Sequence, residues 1–410
     1  MAEKIYGLLG RKLGHSWSVP IHTALGCQGY RLIELEPTEL GDFLHQPNIG
    51  GLNVTIPYKR DVMPFCDVID PMAEAIGSVN TLTRRADGKL YAFNTDAAGF
   101  CWMAERTGIS FTGKKTVVLG SGGASLTAVA CAKKLGAREV VVISRSGENN
   151  YGNLSRHADA DIVVNTTPVG MFPNNGAAAV DLATFPRCSG VLDVVYNPRR
   201  TALLLQAEAL GIPHGGGLSM LAAQAAASAS LFLGGTAIEP DKIRQAEDEL
   251  RRQTENIVLI GMPASGKSTL GAMLGKALGR PVWDSDEELL QRTGLTAEEL
   301  LTRRGEGEFR RLETEVLSDL GKRWGGIIAT GGGCVTRSEN RDLLRQNGRI
   351  IWLQRGLAKL DASGRPLLKT ASLEELYRQR KALYEGFCDK IISNDGTPQE
   401  TLRRLKESLL

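Results

Sequence analysis

Residues 257–278 read IVLIGMPASGKSTLGAMLGKAL, and the order of features in this stretch decides the fold of the second half of the chain. The apolar run 257–260 predicts a buried strand, and TLGAMLGKAL carries apolar residues at helical spacing. Strand, glycine loop, Lys-Ser and helix in that order make a phosphate cradle. Loop N–H groups and the helix N-terminus face the anion, and Lys267 adds a mobile positive charge. An ordinary glycine turn between strand and helix has no need of Lys-Ser after its last glycine. Gly261, Ala264, Ser265, Gly266, Lys267, Ser268 and Thr269 are therefore expected to hold a nucleoside triphosphate, with the Ser268 hydroxyl offered to Mg²⁺.

The chain has 410 residues, more than one ordinary core accommodates, so two or three domains are expected. A net charge of +3 argues against a broad nucleic-acid footprint. Seven scattered cysteines with no C-x-x-C pair fit reduced thiols in a cytoplasmic protein better than a disulfide framework or a zinc site. No signal peptide is visible at the start. The most apolar stretch, 221–233, is interrupted by Gln224 and several Ser and Ala, too polar and short to span a bilayer.

Upstream, strands are expected at 5–9, 31–36 and 51–56. TVVLGSGGAS, EVVVISR, DIVVNTTP and GVLDVVY, between 115 and 235, then read as a parallel sheet with crossover helices. Residues 240–255 predict a polar helix with charge on most faces, a solvated surface helix or a helical linker. The pattern restarts at 257. The expected layout is an α/β substrate domain at 1–102, a Rossmann-like domain at 103–245, a linker at 246–254 and a P-loop domain with a parallel sheet flanked by helices at 255–410.

In the last domain, PVWDSDEEL puts Asp284 and Asp286 where a strand meets a helix. As acids two apart on a strand end they would share a face, one serving Mg²⁺ and the other orienting an acceptor hydroxyl. The same residues suit a helix N-cap and acidic first turn equally well. GEGEFRRLE sets Arg310 and Glu313 one helical turn apart, either a guanidinium with a steadying carboxylate or a plain surface ion pair. IIATGGGCV places Gly331, Gly332 and Gly333 after a buried strand, a loop that a small ligand can approach closely. GRPLL contains Arg365 on a lid-like stretch, and Arg380 follows in YRQRKALY.

These motifs occur in the order found in shikimate kinases, which residues 255–395 resemble. The resemblance implies that Asp286, Arg310, Gly331, Gly332, Gly333 and Arg380 hold shikimate, with the two arginines on its carboxylate. It makes Asp286 the group that orients the attacking hydroxyl. Lys267, Mg²⁺ and Arg365 would neutralise the phosphoryl in transfer from ATP, and Asp284 would be the outer-sphere magnesium residue. The segment around Arg365 is shorter than the family's pattern.

In the first half, Gly120-Ser121-Gly122-Gly123-Ala124-Ser125 lies between a strand and a helix, with Ser125 where a third Gly or Ala is usual. The next strand ends in Ser144-Arg145-Ser146, where an acid would take a ribose 2′-hydroxyl; Arg and hydroxyls suit a 2′-phosphate, so NADP(H) is expected. The stretch from Arg145 to Asn165 is short for a full helix-strand unit. GHSWSVPIH, NVTIPYK, GSVNTL and AFNTDAAGF add clustered polar side chains, which together suit a cleft for a polyhydroxylated substrate, though each alone reads as a turn or cap.

Residues 1–240 resemble shikimate dehydrogenases through H-S-x-S-x-P, N-V-T-x-P-x-K, G-x-V-N-T, N-T-D-x-x-G, G-x-G-G-A-S, N-x-T-P-x-G-M, D-x-x-Y-N-P and G-x-x-M-L-x-x-Q-A. The resemblance implies substrate contacts from Ser16, Ser18, Thr55, Asn80, Asp96, Tyr196 and Gln224, with Lys59 and Asp96 as the catalytic pair. It implies that Gly120, Ser121, Gly122, Gly123, Ala124, Ser144, Arg145, Ser146, Thr166 and Gly217 line the cofactor groove. One chain would then reduce 3-dehydroshikimate and phosphorylate the shikimate formed. The competing expectations are that one half takes quinate or another small polyol, or is an inactive ligand-binding module. Small molecules, not nucleic acid or membrane, are the expected partners. Monomer and homodimer both remain open.

Overall fold

In the computed structural model, residues 3–14, 16–360 and 373–409 are described, and the chain divides into two units, Met1–Arg251 and Arg252–Leu410. The first unit contains two sheets. Strands β1 (Ile5–Gly10), β2 (Tyr30–Glu34), β3 (Ile49–Val54), β4 (Val68–Ile69), β5 (Thr81–Arg84) and β6 (Leu90–Phe93) form a mixed sheet in the order β2-β1-β3-β5-β6-β4. β3 pairs parallel to β1 and antiparallel to β5, so the polar residues that follow β1 and β3 gather at one edge of the sheet. The strand expected at 31–36 ends at Glu34, because Glu36 caps a short 3₁₀ turn through Glu39. The one expected at 51–56 runs over Ile49–Val54, and the chain then turns, with Tyr58 N–H bonded to the Thr55 carbonyl.

The second sheet is entirely parallel: β7 (Lys115–Leu119), β8 (Glu139–Ile143), β9 (Ile162–Asn165), β10 (Gly190–Asp193) and β11 (His214–Gly216), ordered β11-β10-β9-β7-β8. Near-continuous apolar runs such as KTVVL and EVVVI are what strands covered on both faces require. The crossover between β8 and β9 is short, as its length predicts: a 3₁₀ stretch, Tyr151–His157, replaces a full helix.

Helix Gly217–Phe232 carries no charged residue, and ten of its 16 residues are buried. It packs along helix Asp96–Arg106. A Cβ on Gly99 would come within 2.5 Å of the Met220 carbonyl, so glycine permits that close crossing. Helix Pro240–Thr254 is not the fully solvated helix its composition suggests. Ala246 and Leu250, one turn apart, are buried with Leu8, Ile21 and Ala229 in the core of the first unit.

The second unit holds β12 (Asn256–Ile260), β13 (Val282–Asp284), β14 (Ile327–Ala329), β15 (Gly348–Gln354) and β16 (Lys390–Ser393), all parallel, in the order β13-β14-β12-β15-β16. Its core stacks Trp352 on Tyr384 at 5.4 Å. Non-consecutive strands flank β12, which puts the loop after β12 at the carboxyl edge where such sheets bind ligands. Among the described residues no helix is long and apolar enough to cross a membrane.

Candidate active sites

In the first unit, Lys59 follows the turn after β3, and its carbonyl accepts from Val79 N–H at 2.9 Å, which fixes its backbone. Asp96 opens helix Asp96–Arg106, where the helix N-terminus favours the ionised carboxylate. The two side chains meet, Nζ to Oδ2 at 2.5 Å, and each keeps partial solvent access. Behind them lies a buried amide network. Asn80 Oδ1 accepts from Thr95 N–H at 2.7 Å and from the Thr81 and Thr95 hydroxyls at 3.1 Å each. Its oxygen is thus committed, and its amide nitrogen is the end it can turn to a ligand. Tyr30 donates to Asn53 Oδ1 at 2.8 Å, and Asn53 in turn donates to Thr81.

All eight residues expected around the substrate, namely Ser16, Ser18, Thr55, Lys59, Asn80, Asp96, Tyr196 and Gln224, line one cavity of about 300 Å³. Trp17 and Asn53 line it too and were not assigned a role from sequence. The signal for Asn53 was present, since it lies two positions from Thr55 on a strand and so faces the same side. Asn94, by contrast, is structural: it donates to the Ser78 carbonyl at 2.8 Å and accepts from Ala97 N–H.

A second cavity of about 670 Å³ runs along the ends of β7, β8 and β9 and is lined by Gly120, Ser121, Gly122, Ser144, Arg145 and Thr166. Gly120 sits at φ +107, and a Cβ there would stand 2.9 Å from Thr166 Oγ1. The helix beginning at Gly123 has no side-chain cap, so its first N–H groups are available to a pyrophosphate. Ala124 and Gly217 line the substrate cavity instead of this groove, which places them where the two cavities approach one another. Gly123 and Ser146 line neither. Tyr151, Thr167 and Val169 are additional lining residues, contributed by the 3₁₀ crossover and by the loop after β9. The groove's glycines and its Ser144-Arg145 rim fit a dinucleotide bearing a 2′-phosphate.

In the second unit, the loop 261–266 contains Ala264 at φ +65, a left-handed backbone in a residue with a side chain, and Gly266 at φ +88. Such alternation turns successive N–H groups to one side, forming an anion cradle at the start of helix Lys267–Leu278. Lys267 is buried, and its ammonium donates to the Gly261 and Met262 carbonyls at 3.0 Å each. Ser268 donates to Asp284 Oδ2 at 2.6 Å, while Asp284 Oδ1 accepts from Asp286 N–H at 2.9 Å. Asp284 therefore caps helix Ser285–Thr293 and also holds the P-loop serine. Asp286 lies in the first turn of that helix, so the two acids do not share a strand face as expected. The hydroxyl and carboxylate of Ser268 and Asp284 form a hard oxygen pair that fits Mg²⁺ completed by phosphate and water. Thr269 is exposed on the same helix turn, and Ser265 is buried beneath the loop.

Arg310 and Glu313 are not a surface pair. Both are buried, with Nη1 to Oε2 at 2.7 Å. Burial pushes the Glu313 carboxyl up, and Arg310 opposes that shift. Arg310 Nη2 and Glu313 Oε1 are buried with no hydrogen-bond partner among the described residues. Polar groups so placed are costly unless something meets them, which points to a ligand. The three glycines after β14 have their Cβ directions filled by protein. A Cβ on Gly333 would run into the Arg310 guanidinium, one on Gly331 would lie 2.7 Å from Glu313 Oε1, and one on Gly332 2.7 Å from Pro263. The loop is thus clamped between the ion pair and the P-loop. Arg380, also buried, donates to the Gly332 carbonyl at 3.2 Å, and Tyr384 donates to the same oxygen. Arg365 lies outside the described residues.

Comparison with known proteins follows the same division. The family model for the shikimate dehydrogenase substrate-binding domain matches residues 8–82, and that for shikimate kinase matches residues 263–410. A shikimate dehydrogenase (NADP(+)) of Clostridium perfringens is 35% identical over 252 residues, 56% of this chain and 93% of that protein. A chorismate mutase/shikimate 5-dehydrogenase fusion protein from Clostridium acetobutylicum superposes with a TM-score of 0.58 at 34% identity, over 61% of this chain and 98% of that one. Shikimate 5-dehydrogenase from Thermus thermophilus, in complex with NADP(H) and shikimate, gives a TM-score of 0.53 at 29% identity, covering 60% and 99%. Through its first unit the chain belongs to the shikimate dehydrogenase family, and its second unit belongs to the shikimate kinases.

Proposed function

We propose that this chain is a bifunctional enzyme that reduces 3-dehydroshikimate to shikimate with NADPH in its first unit and phosphorylates shikimate from ATP in its second. The observation that carries the pairing is Arg310 Nη2, a buried guanidinium nitrogen with no hydrogen-bond partner among the described residues, in a kinase domain joined to a dehydrogenase whose product is a ring carboxylate. Seven free thiols fit a cytoplasmic setting.

In the first unit, Ser16, Ser18, Thr55, Asn80 and Gln224 orient the hydroxylated ring, and Tyr196 closes one side of the cavity. NADPH, when bound, supplies the hydride to the ketone carbon. Lys59 Nζ holds the proton that the developing alkoxide needs. Asp96, hydrogen-bonded to Nζ at 2.5 Å, keeps that ammonium charged until transfer and so stabilises negative charge on the oxygen.

In the second unit, Arg310 and Arg380 take the ring carboxylate, and Glu313 fixes the Arg310 fork. Asp286 orients the attacking hydroxyl and receives its proton. Lys267 and the backbone N–H groups of loop 261–266 meet the phosphates. Ser268 and Asp284 would hold Mg²⁺, which, when bound, offsets phosphate charge during transfer.

Two half-reactions test this on the purified full chain. NADP⁺ with shikimate should generate the nicotinamide absorbance band, and ATP-Mg with shikimate should release ADP and form a ring phosphate ester. A chain that turns over quinate faster than shikimate in the first reaction, or that forms no ester in the second, would contradict the proposal.

A further inference from the structure

A third cavity in the first unit, of about 270 Å³, has no part in either reaction. It lies beside β11 and the start of helix Gly217–Phe232, and four arginines, Arg106, Arg199, Arg200 and Arg251, line it together with His214. The only carboxylate among its lining residues is Glu247, 3.9 Å from Arg106 Nη2. The lining itself thus has an excess of three positive charges with His214 neutral: four guanidinium groups less one carboxylate. Two partly exposed carboxylates outside the lining offset some of it, Glu208 at 3.9 Å from Arg200 and Asp248 at 3.0 Å from Arg251, and the balance stays positive.

Two further observations aim this charge inward. The helix that begins at Gly217 has Gly216 as its N-cap and no side-chain cap, so the positive end of a 16-residue helix opens beside the cavity. In its first turn, the Ser219 hydroxyl lines the cavity and is a buried oxygen with no hydrogen-bond partner among the described residues. A Cβ on Gly216 would stand 3.1 Å from the Arg199 carbonyl, so glycine lets the arginine-bearing loop close onto the helix end. That loop also carries Tyr196, which faces the substrate cavity.

We propose that this cavity is a binding site for a small phosphate-bearing anion, distinct from the dinucleotide groove and the P-loop. Guanidinium forks match phosphate oxygens two at a time, and an uncapped helix start adds N–H donors to the same oxygens. Two sources share this chemistry: free inorganic phosphate, and the phosphorylated ring acid made by the second unit. The second source rests on the function proposed above, whereas the site itself does not.

The test uses the full chain carrying Lys267→Ala, with NADP⁺ saturating, so that the P-loop and the 2′-phosphate position do not contribute. Titration with inorganic phosphate, followed by calorimetry at constant ionic strength, should give saturable binding. Combining Arg106→Gln with Arg200→Gln should weaken it at least tenfold. Glu247→Gln removes the opposing carboxylate and should tighten it severalfold, a gain that misfolding cannot mimic. Tighter binding of the phosphorylated ring acid than of phosphate would name the ester as occupant, and equal binding would name the free anion. Equal phosphate affinity in the parent, the double arginine variant and the Glu247 variant would overturn the proposal, and so would absence of saturable binding in the parent.

Discussion

Lys59 and Lys267 are both held by oxygen, but for different work. Lys59 is paired with a carboxylate that keeps its proton ready, whereas Lys267 leans on two carbonyls at the mouth of an anion cradle. Lys59→Ala should lower reduction by about 10²–10³-fold and leave phosphorylation unchanged, the usual scale for one transition-state contact. Lys267→Ala should do the reverse, and steady-state assays of both reactions on each folded variant check this. Gly333→Ala drives a methyl against the Arg310 guanidinium. It should raise KM for the ring acid in the kinase reaction at least tenfold without affecting the reductase. Asp193 gives a pH prediction. Burial pushes its carboxyl up to about 6, despite hydrogen bonds from Thr201, Asn165 and the Val195 N–H. The unfolded value is about 3.9, so the native state binds this proton more tightly. The stability gained is fully present below about pH 4 and lost as pH rises through about 6. Amide exchange in β10 should show the first unit losing up to ~3 kcal/mol over that window, and Asp193→Asn should flatten the slope.

At the level of elements, the sequence made some features plain and hid others for physical reasons. Apolar runs covered on two faces, in β7 to β10 and in β12, identify themselves, as does the strand–loop–helix order at 257–278. The eight substrate-cavity residues were legible because each polar side chain interrupts or closes an otherwise apolar stretch. Trp17 was not, since an aromatic between two serines has no polar signature. The purpose of Gly331, Gly332 and Gly333 was only half legible. Composition announces a close approach but not that Arg310, Glu313 and Pro263 make it, because those residues lie far away in sequence. Helix Pro240–Thr254 misleads in the other direction. Its charged neighbours obscure one apolar seam through Ile243, Ala246 and Leu250. Leu250→Ala should therefore destabilise the first unit by about 2–5 kcal/mol, the range for emptying a buried leucine site. Denaturant titration followed through reductase activity measures it, and a change below ~0.5 kcal/mol, the scale of a surface site, would return the helix to the role of a linker.

For the whole molecule, the division at Arg251 and Arg252 implies two folding units whose chemistry is separable. A fragment ending at Arg251 should fold and reduce the ketone. One ending before Pro240 should lose stability, because it discards Ala246 and Leu250 from the core. Limited proteolysis and thermal melts of the two fragments distinguish these outcomes. The family assignments join two reactions that share one ring acid, the product of the first being the substrate of the second. The most direct test supplies the full chain with 3-dehydroshikimate, NADPH and ATP-Mg and no added shikimate, and follows nicotinamide oxidation, ADP and ring ester together. Ester should accumulate after a lag until it matches the NADPH consumed. NADPH oxidation with no ester formed, or no oxidation at all, would contradict the account.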